Sequence, residues 1–425
     1  MKKILPVVLV TVIVTVLTVS LSGPALASEE GFHNFTYSGD YTAGMFRDVS
    51  FSDEFAPYVE AAYNFGFMRG KSAGIFDPNG GLTLGEAVAL AARLRSIYHT
   101  GSADFAPSSP FYAVYAEYAL ANGIIDRPLN YTAQATRAMF AMMMVNALPA
   151  GAYEVINSIP EYGIHDVPSD APHGAAVYTL YRAGILAGTD RYGTFRPYAG
   201  ITRAEVCTIL TRIADPDYRA ATVLPAAMPA ELIYRRNTSA VIMIETFRQD
   251  GRSIRTGSGF FISETGLVVT CLHVVENAVS AKVTLSNGEE FDVLGAAAVS
   301  EENNLVILSL DTARRDFDYL LLADSDLVET GSIVYALGSP RSLLNAITEG
   351  IVSNTEREVS GDSLIQFTAP ISFGSGGSPL LNTLGQVIGV ASSSFTYAQN
   401  LNLAIRVNYI KELEVGTPVP LGDLD

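Results

Sequence analysis

The chain has 425 residues, of which 48% are hydrophobic and 17% charged. That is enough apolar material for more than one core and too much for a disordered chain. Its 44 acidic residues outnumber 27 basic ones, for a formal net charge of −17; such a surface repels a phosphate backbone, which excludes nucleic acid as a partner, and the same charge favours solubility.

The N-terminus reads Met1-Lys2-Lys3, an apolar run from Ile4 to Leu21, then Ala25-Leu26-Ala27. This predicts a secretory signal over 1–27, cleaved after Ala27, and a protein exported from the cell. The run approaches the ~18 residues of a spanning helix, so a retained anchor is the alternative; no second run of that length follows, and no membrane span is expected once the signal is removed. Cys207 lies in a helical pattern and Cys271 in a strand pattern, which predicts two buried free thiols rather than a disulfide. No His/Cys/Asp cluster suggests a metal site, and no cofactor is expected.

From about residue 42 to 214 a unit recurs. The first copy, 42–98, carries Phe46-Arg47-Asp48-Val49, a helical run around Tyr58–Tyr63, Gly74-Ile75-Phe76-Asp77-Pro78 and Thr83-Leu84-Gly85-Glu86 before an Ala/Leu-rich helix. The third, 160–214, repeats it as His165-Asp166-Val167, Gly193-Thr194-Phe195-Arg196-Pro197 and Thr202-Arg203-Ala204-Glu205. A degenerate middle copy, 99–150, keeps Thr136-Arg137-Ala138-Met139. Each unit reads as helix, glycine-containing loop, helix, with the threonine capping the second helix and the glutamate three residues on completing a capping box. One such unit cannot bury its own apolar face, so three are expected to pack together.

These units resemble S-layer homology modules. The resemblance implies an all-α bundle of three modules that holds an acidic secondary cell-wall polysaccharide, localising the protein to the cell wall or S-layer. It also implies that Arg203 and Arg137, at the motif's arginine position, contact the polymer by forking onto its carboxylates. Leu84 takes that place in the first copy. The alternative is that these arginines only brace helix ends.

A proline-spaced connector, 215–238, has neither helical nor strand period. From Ser239 onward short β-branched runs alternate with Gly, Asn and Asp, which predicts an all-β domain over 239–413, suited to two small barrels, followed by a tail, 414–425. The order Gly257-Ser258-Gly259-Phe260, Thr270-Cys271-Leu272-His273, Asn303-Asn304-Leu305-Val306, Ala336-Leu337-Gly338-Ser339-Pro340 and Gly374-Ser375-Gly376-Gly377-Ser378-Pro379 resembles trypsin-like serine proteases of the HtrA type. The resemblance implies a chymotrypsin-like double β-barrel acting on extracellular protein or peptide; no peptide-binding PDZ module is expected after Leu413.

Serine hydrolysis needs a hydroxyl nucleophile, an imidazole base and a carboxylate that orients it. His273 stands at the base position, but the family's aspartate is replaced by Asn304, which orients an imidazole without stabilising its charge. In another serine protease that exchange lowers turnover about ten-thousandfold. Aligned without gaps on the family's Gly-Asn-Ser-Gly-Gly-Pro, the serine position holds Gly376. A one-residue slip would present Ser375 instead, with the N–H groups of Gly374 and Gly376 as oxyanion donors; Ser378 precedes Pro379, which has no N–H to offer. Two readings follow: a serine endopeptidase using His273, Asn304 and Ser375, or a protease-shaped binding domain without hydrolytic power.

Overall fold

The computed structural model describes residues 31–225, 227–314, 316–338, 346–359, 361–392 and 401–424. The expected signal, 1–27, and the Ser339-Pro340 landmark lie outside the described residues. The first half is three helix pairs: α1 (Ala56–Asn64) with α2 (Leu84–Thr100), α3 (Ala113–Ala121) with α4 (Arg137–Ala147), and α5 (Gly174–Arg182) with α6 (Arg203–Ala214). The second helix of each pair starts at a threonine (Thr83, Thr136, Thr202) whose side chain accepts the N3 backbone N–H. In α2 and α6 the N3 residue is Glu86 or Glu205, which accepts the threonine's own N–H in return and closes the capping box; Met139 cannot, so α4 has half of it.

These capped starts interlock. Thr83 bridges Gln134, Thr136 bridges Gly200 and Thr202 bridges Gly81, so each helix start takes backbone partners from another pair and the three close into a ring. A single apolar cluster containing Phe76, Phe140 and Phe195 serves all of them. The recurring aspartate explains the turns around it: Asp48 accepts the N–H groups of Phe76 and Asp77 at 2.9 and 2.7 Å, and Asp166 those of Phe195 and Arg196 at 2.9 and 2.6 Å. Asp77 and Arg196 sit in left-handed backbone at φ 61° and 58°, a conformation that costs energy outside glycine and is held here by those bonds.

The connector departs from the expectation of irregular chain. It contains a helix, α7 (Ala230–Asn237), preceded by Pro229, with Glu231 in its first turn and Arg235 and Arg236 in its last, charges that suit the helix dipole. Only Ile233 of α7 is buried, too little apolar repetition to register as a period.

The second half forms two closed antiparallel barrels of six strands each. The first joins β1 (Val241–Phe247), β2 (Ser253–Phe261), β3 (Leu267–Cys271), β4 (Ser280–Thr284), β5 (Glu290–Ser300) and β6 (Leu305–Leu310) in the order β1-β2-β3-β6-β5-β4. The second joins β7 (Ile333–Gly338), β8 (Ala346–Val359), β9 (Asp362–Phe367), β10 (Pro379–Leu381), β11 (Val387–Ser392) and β12 (Asn402–Arg406) in the order β10-β11-β12-β9-β8-β7. In a closed barrel each strand has a neighbour on both sides. The tail returns to the first barrel, where Ala296 and Val419 exchange backbone bonds and Leu421 is buried. The halves also touch: Arg236 of α7 meets His165, Asp190 and Thr194, and Lys411 meets Asp170.

Candidate functional site

Strand β3 carries the buried Thr270-Cys271 into a single helical turn, α8 (Leu272–Val275), that presents His273. The turn is tied to the start of β6, because the Leu272 N–H donates to the Asn304 carbonyl at 3.0 Å. Asn304 stands in left-handed backbone at φ 50°, which asparagine tolerates better than most residues. Its Oδ1 accepts the His273 backbone N–H at 3.0 Å, while its Nδ2 lies 3.0 Å and its Oδ1 3.3 Å from ring Nδ1. The Asn304 amide group thus faces ring Nδ1 with both its oxygen and its nitrogen within hydrogen-bonding distance. An aspartate in that place would accept Nδ1–H and, unlike the amide, stabilise the charged imidazolium. Burial pushes the His273 imidazole below its ordinary pKa, outweighing the bond to Asn304, and nearby Arg255 acts in the same direction as burial.

The glycine-serine loop is held between the barrels. Ser258 of β2 donates its hydroxyl to the Gly374 carbonyl and its N–H to the Gly376 carbonyl, both at 2.8 Å. On the other side the Gly377 N–H donates to Ala391 O at 2.9 Å, and the Ala391 N–H to Ser378 O at 2.8 Å. Gly377 has no substitute here: at φ 87° a Cβ would lie 2.1 Å from Ser258 O and 2.2 Å from Thr270 Oγ1. Among the described residues, the N–H groups of Gly374 and Gly376 make no hydrogen bond within the chain.

This loop separates two cavities. One, of about 430 Å³, is lined by His273 with Ile254, Arg255, Thr256, Val274, Phe373, Gly374 and Gly376. The other, of about 210 Å³, is lined by Ser372, Ser375 and Ser378 with Ala336, Gly338 and Thr348. Ser375 is buried, and its Oγ accepts the Ser372 N–H at 3.3 Å. The Ser378 Oγ is buried without a hydrogen bond among the described residues, against Gly338. Ser375 lines the second cavity, while Gly374 and Gly376 line the cavity of His273. Ser258 and Arg255 were missed as site residues, although the Gly257-Ser258-Gly259 landmark placed their strand.

The two motif arginines diverge. Arg137 is 6% exposed; its Nε donates to Phe195 O at 2.6 Å and its guanidinium pairs with Glu205. Its contacts tie the second helix pair to the third. Arg203 also reaches a neighbouring pair, donating to Phe76 O at 2.9 Å and Arg69 O at 2.7 Å, but it lines an open groove with Arg69, Arg93, Glu86 and Tyr115.

Comparison with known families matches residues 257–390 to the trypsin-like peptidase domain and residues 46–88 and 163–207 to the S-layer homology domain. The chain joins S-layer homology domains to a trypsin-like peptidase domain. The pair α3 and α4 lies outside the matched stretches. Among similar curated proteins, Serine protease HTRA1B of Danio rerio is 38% identical over 168 residues, 37% of this chain and 35% of that protein. The Probable periplasmic serine endoprotease DegP-like of Brucella suis biovar 1 (strain 1330) is 35% identical over 150 residues, 34% of this chain and 29% of that protein. The chain thus spans about a third of the length of the curated relatives it matches. Both cysteines are free and buried, as expected. Among the described residues no cluster of three or more potential metal ligands occurs, and no helix is long and apolar enough to cross a membrane.

Proposed function

We propose that this protein is held at the cell envelope by its S-layer homology domains and presents a trypsin-like domain that binds extended peptide without hydrolysing it. S-layer homology domains indicate association with the cell surface, and trypsin-like domains with serine protease relatives support endopeptidase chemistry where the catalytic groups are complete. What carries the reading is Gly376: the residue that lines the histidine's cavity at the nucleophile position has no hydroxyl to attack with. Asn304 supports it independently, since an amide beside Nδ1 carries no charge to stabilise the imidazolium that a general base becomes. At the tether, the groove with Arg203, Arg69 and Arg93 offers guanidinium groups to an acidic wall polysaccharide.

The competing reading is hydrolysis through Ser375. It draws on the retained His273 and requires the Ser375 hydroxyl to leave the Ser372 N–H and cross the loop into the other cavity. A fluorophosphonate probe separates the two. The wild-type chain is expected to remain unlabelled, and the double variant Gly376→Ser, Asn304→Asp to gain labelling at position 376. Labelling of the wild type that is lost in Ser375→Ala would establish the competing reading instead.

A further inference from the structure

A cavity of about 470 Å³ lies between the third helix pair and the first barrel. It shares no lining residue with the His273 cavity or the Arg203 groove. The helical side contributes Asp166, His173 and Tyr198; the barrel side contributes Glu264 of the β2–β3 turn and Tyr319 of the chain after β6. These groups adjoin one another. The His173 ring packs edge-on against Tyr198 with centroids 5.8 Å apart. Burial raises the Tyr319 pKa, and neighbouring Tyr198 and Glu264 raise it further. His173 is 6% exposed, and its Nε2 is enclosed without a hydrogen-bond partner among the described residues. A buried polar atom of this kind calls for one. Burial lowers the His173 pKa, with Asp166 opposing, which favours a neutral imidazole that keeps a lone pair to accept with.

We propose that this cavity receives a lysine side chain of an extracellular protein, at a site separate from the His273 cavity. No lysine or arginine of the chain lines it, two carboxylates do, and the net charge of −17 favours a cationic partner. The Asp166 carboxylate beside His173 offsets the partial positive charge of the α5 N-terminus there. An ammonium has three donors and no acceptor. It satisfies the His173 nitrogen, pairs with Glu264 and lies against the tyrosine rings, whose faces attract a cation. The other walls include Pro168, Ala171, Ile262 and Leu321, which suit the methylene stem of lysine. An amino sugar also brings an ammonium, but on a ring edged with hydroxyls that these apolar walls would leave unpaired. Tyr198, 66% exposed, keeps the site open to a side chain projecting from a protein surface. The inference holds whether or not the peptidase domain hydrolyses, since it uses neither His273 nor the glycine-serine loop.

The test titrates the full chain with fluorescein-labelled Gly-Ser-Ala-Lys-Ala-Ser-Gly, and with the same peptide acetylated on the lysine Nζ, by fluorescence anisotropy. Salt at about 150 mM screens long-range attraction to the net charge. The lysine peptide is expected to bind about tenfold more tightly than the acetylated one. Tyr198→Ala and Glu264→Gln should each weaken the lysine peptide about threefold and leave the acetylated one unchanged. Tyr198→Phe, which keeps the ring face, should bind as the wild type does. Both side chains are exposed, so these variants should melt with the wild type. Glu329→Gln, an exposed carboxylate change outside the cavity, should have no effect on binding. Equal binding of the two peptides, binding of neither, or an equal loss in Glu329→Gln overturns the proposal. So does displacement of the lysine peptide by free glucosamine as readily as by Nα-acetyl-lysine amide.

Discussion

In the proposed reading Asn304 and Gly376 differ from a hydrolytic site by very few atoms, yet each removes a different requirement. Exchanging a carboxylate for an amide removes the charge that stabilises a protonated imidazole; exchanging serine for glycine removes the nucleophile. Repairing one alone leaves the other defect in place, which is why the double variant is the informative one. The arginines make the same point about context. Arg137 and Arg203 share the Thr-Arg-Ala sequence, but only the first is sealed inside with a carboxylate partner. Arg137→Ala should cost about 2–3 kcal/mol, because it strands Glu205 and the Phe195 carbonyl, and thermal unfolding of the full chain would measure it. Arg203→Ala should cost about 1 kcal/mol while reducing co-sedimentation with purified wall polysaccharide several-fold. Unchanged sedimentation would remove Arg203 from the polymer site.

At the scale of elements, the helix starts were legible because capping is local: a threonine and a glutamate three residues on need no tertiary partner to form a box. Thr202→Ala should therefore cost about 1 kcal/mol, and Thr136→Ala less, since Met139 at N3 returns no bond. Helical circular dichroism followed through thermal denaturation would rank them, and a larger loss for Thr136 would contradict the argument. The strands were legible for a similar reason, as β-branched runs bounded by turn residues. The connector helix α7 was not: three of its eight residues are charged, and it is held by a single buried isoleucine and by partners from the helical half.

Across the whole molecule, the junction between the halves contains a histidine whose neutral form is favoured. His165 is half-buried, with Arg236 Nη1 at 2.6 Å from its Nε2 and Thr194 Oγ1 at 2.9 Å. Burial lowers its pKa; Asp166 and Asp190 oppose that shift, and Arg236 reinforces it. An opened junction returns the imidazole toward its ordinary value of about 6.5, so the open form takes up the proton first as pH falls. Stability is thus complete above that value and is lost progressively below it. His99, His173 and His273 are shifted in the same direction. The melting temperature should drop between pH 7.5 and 5.5, and His165→Gln should flatten part of that drop. A profile that is level over this range would refute the role given to the junction.

The number of units, their class and their order follow from residues near one another in the chain, because periodicity, capping and turn chemistry act over a few residues. So do the two departures from the family motif at Asn304 and Gly376, which the motif spacing locates. Which hydroxyl lines which cavity, which arginine is sealed inside the bundle, and which side chain meets the imidazole are decided between residues far apart in sequence: Ser258 with Gly374, Arg137 with Glu205, His273 with Asn304. Those pairings exist only once the barrels and the helix ring have closed, since closure alone brings such distant groups within hydrogen-bonding distance.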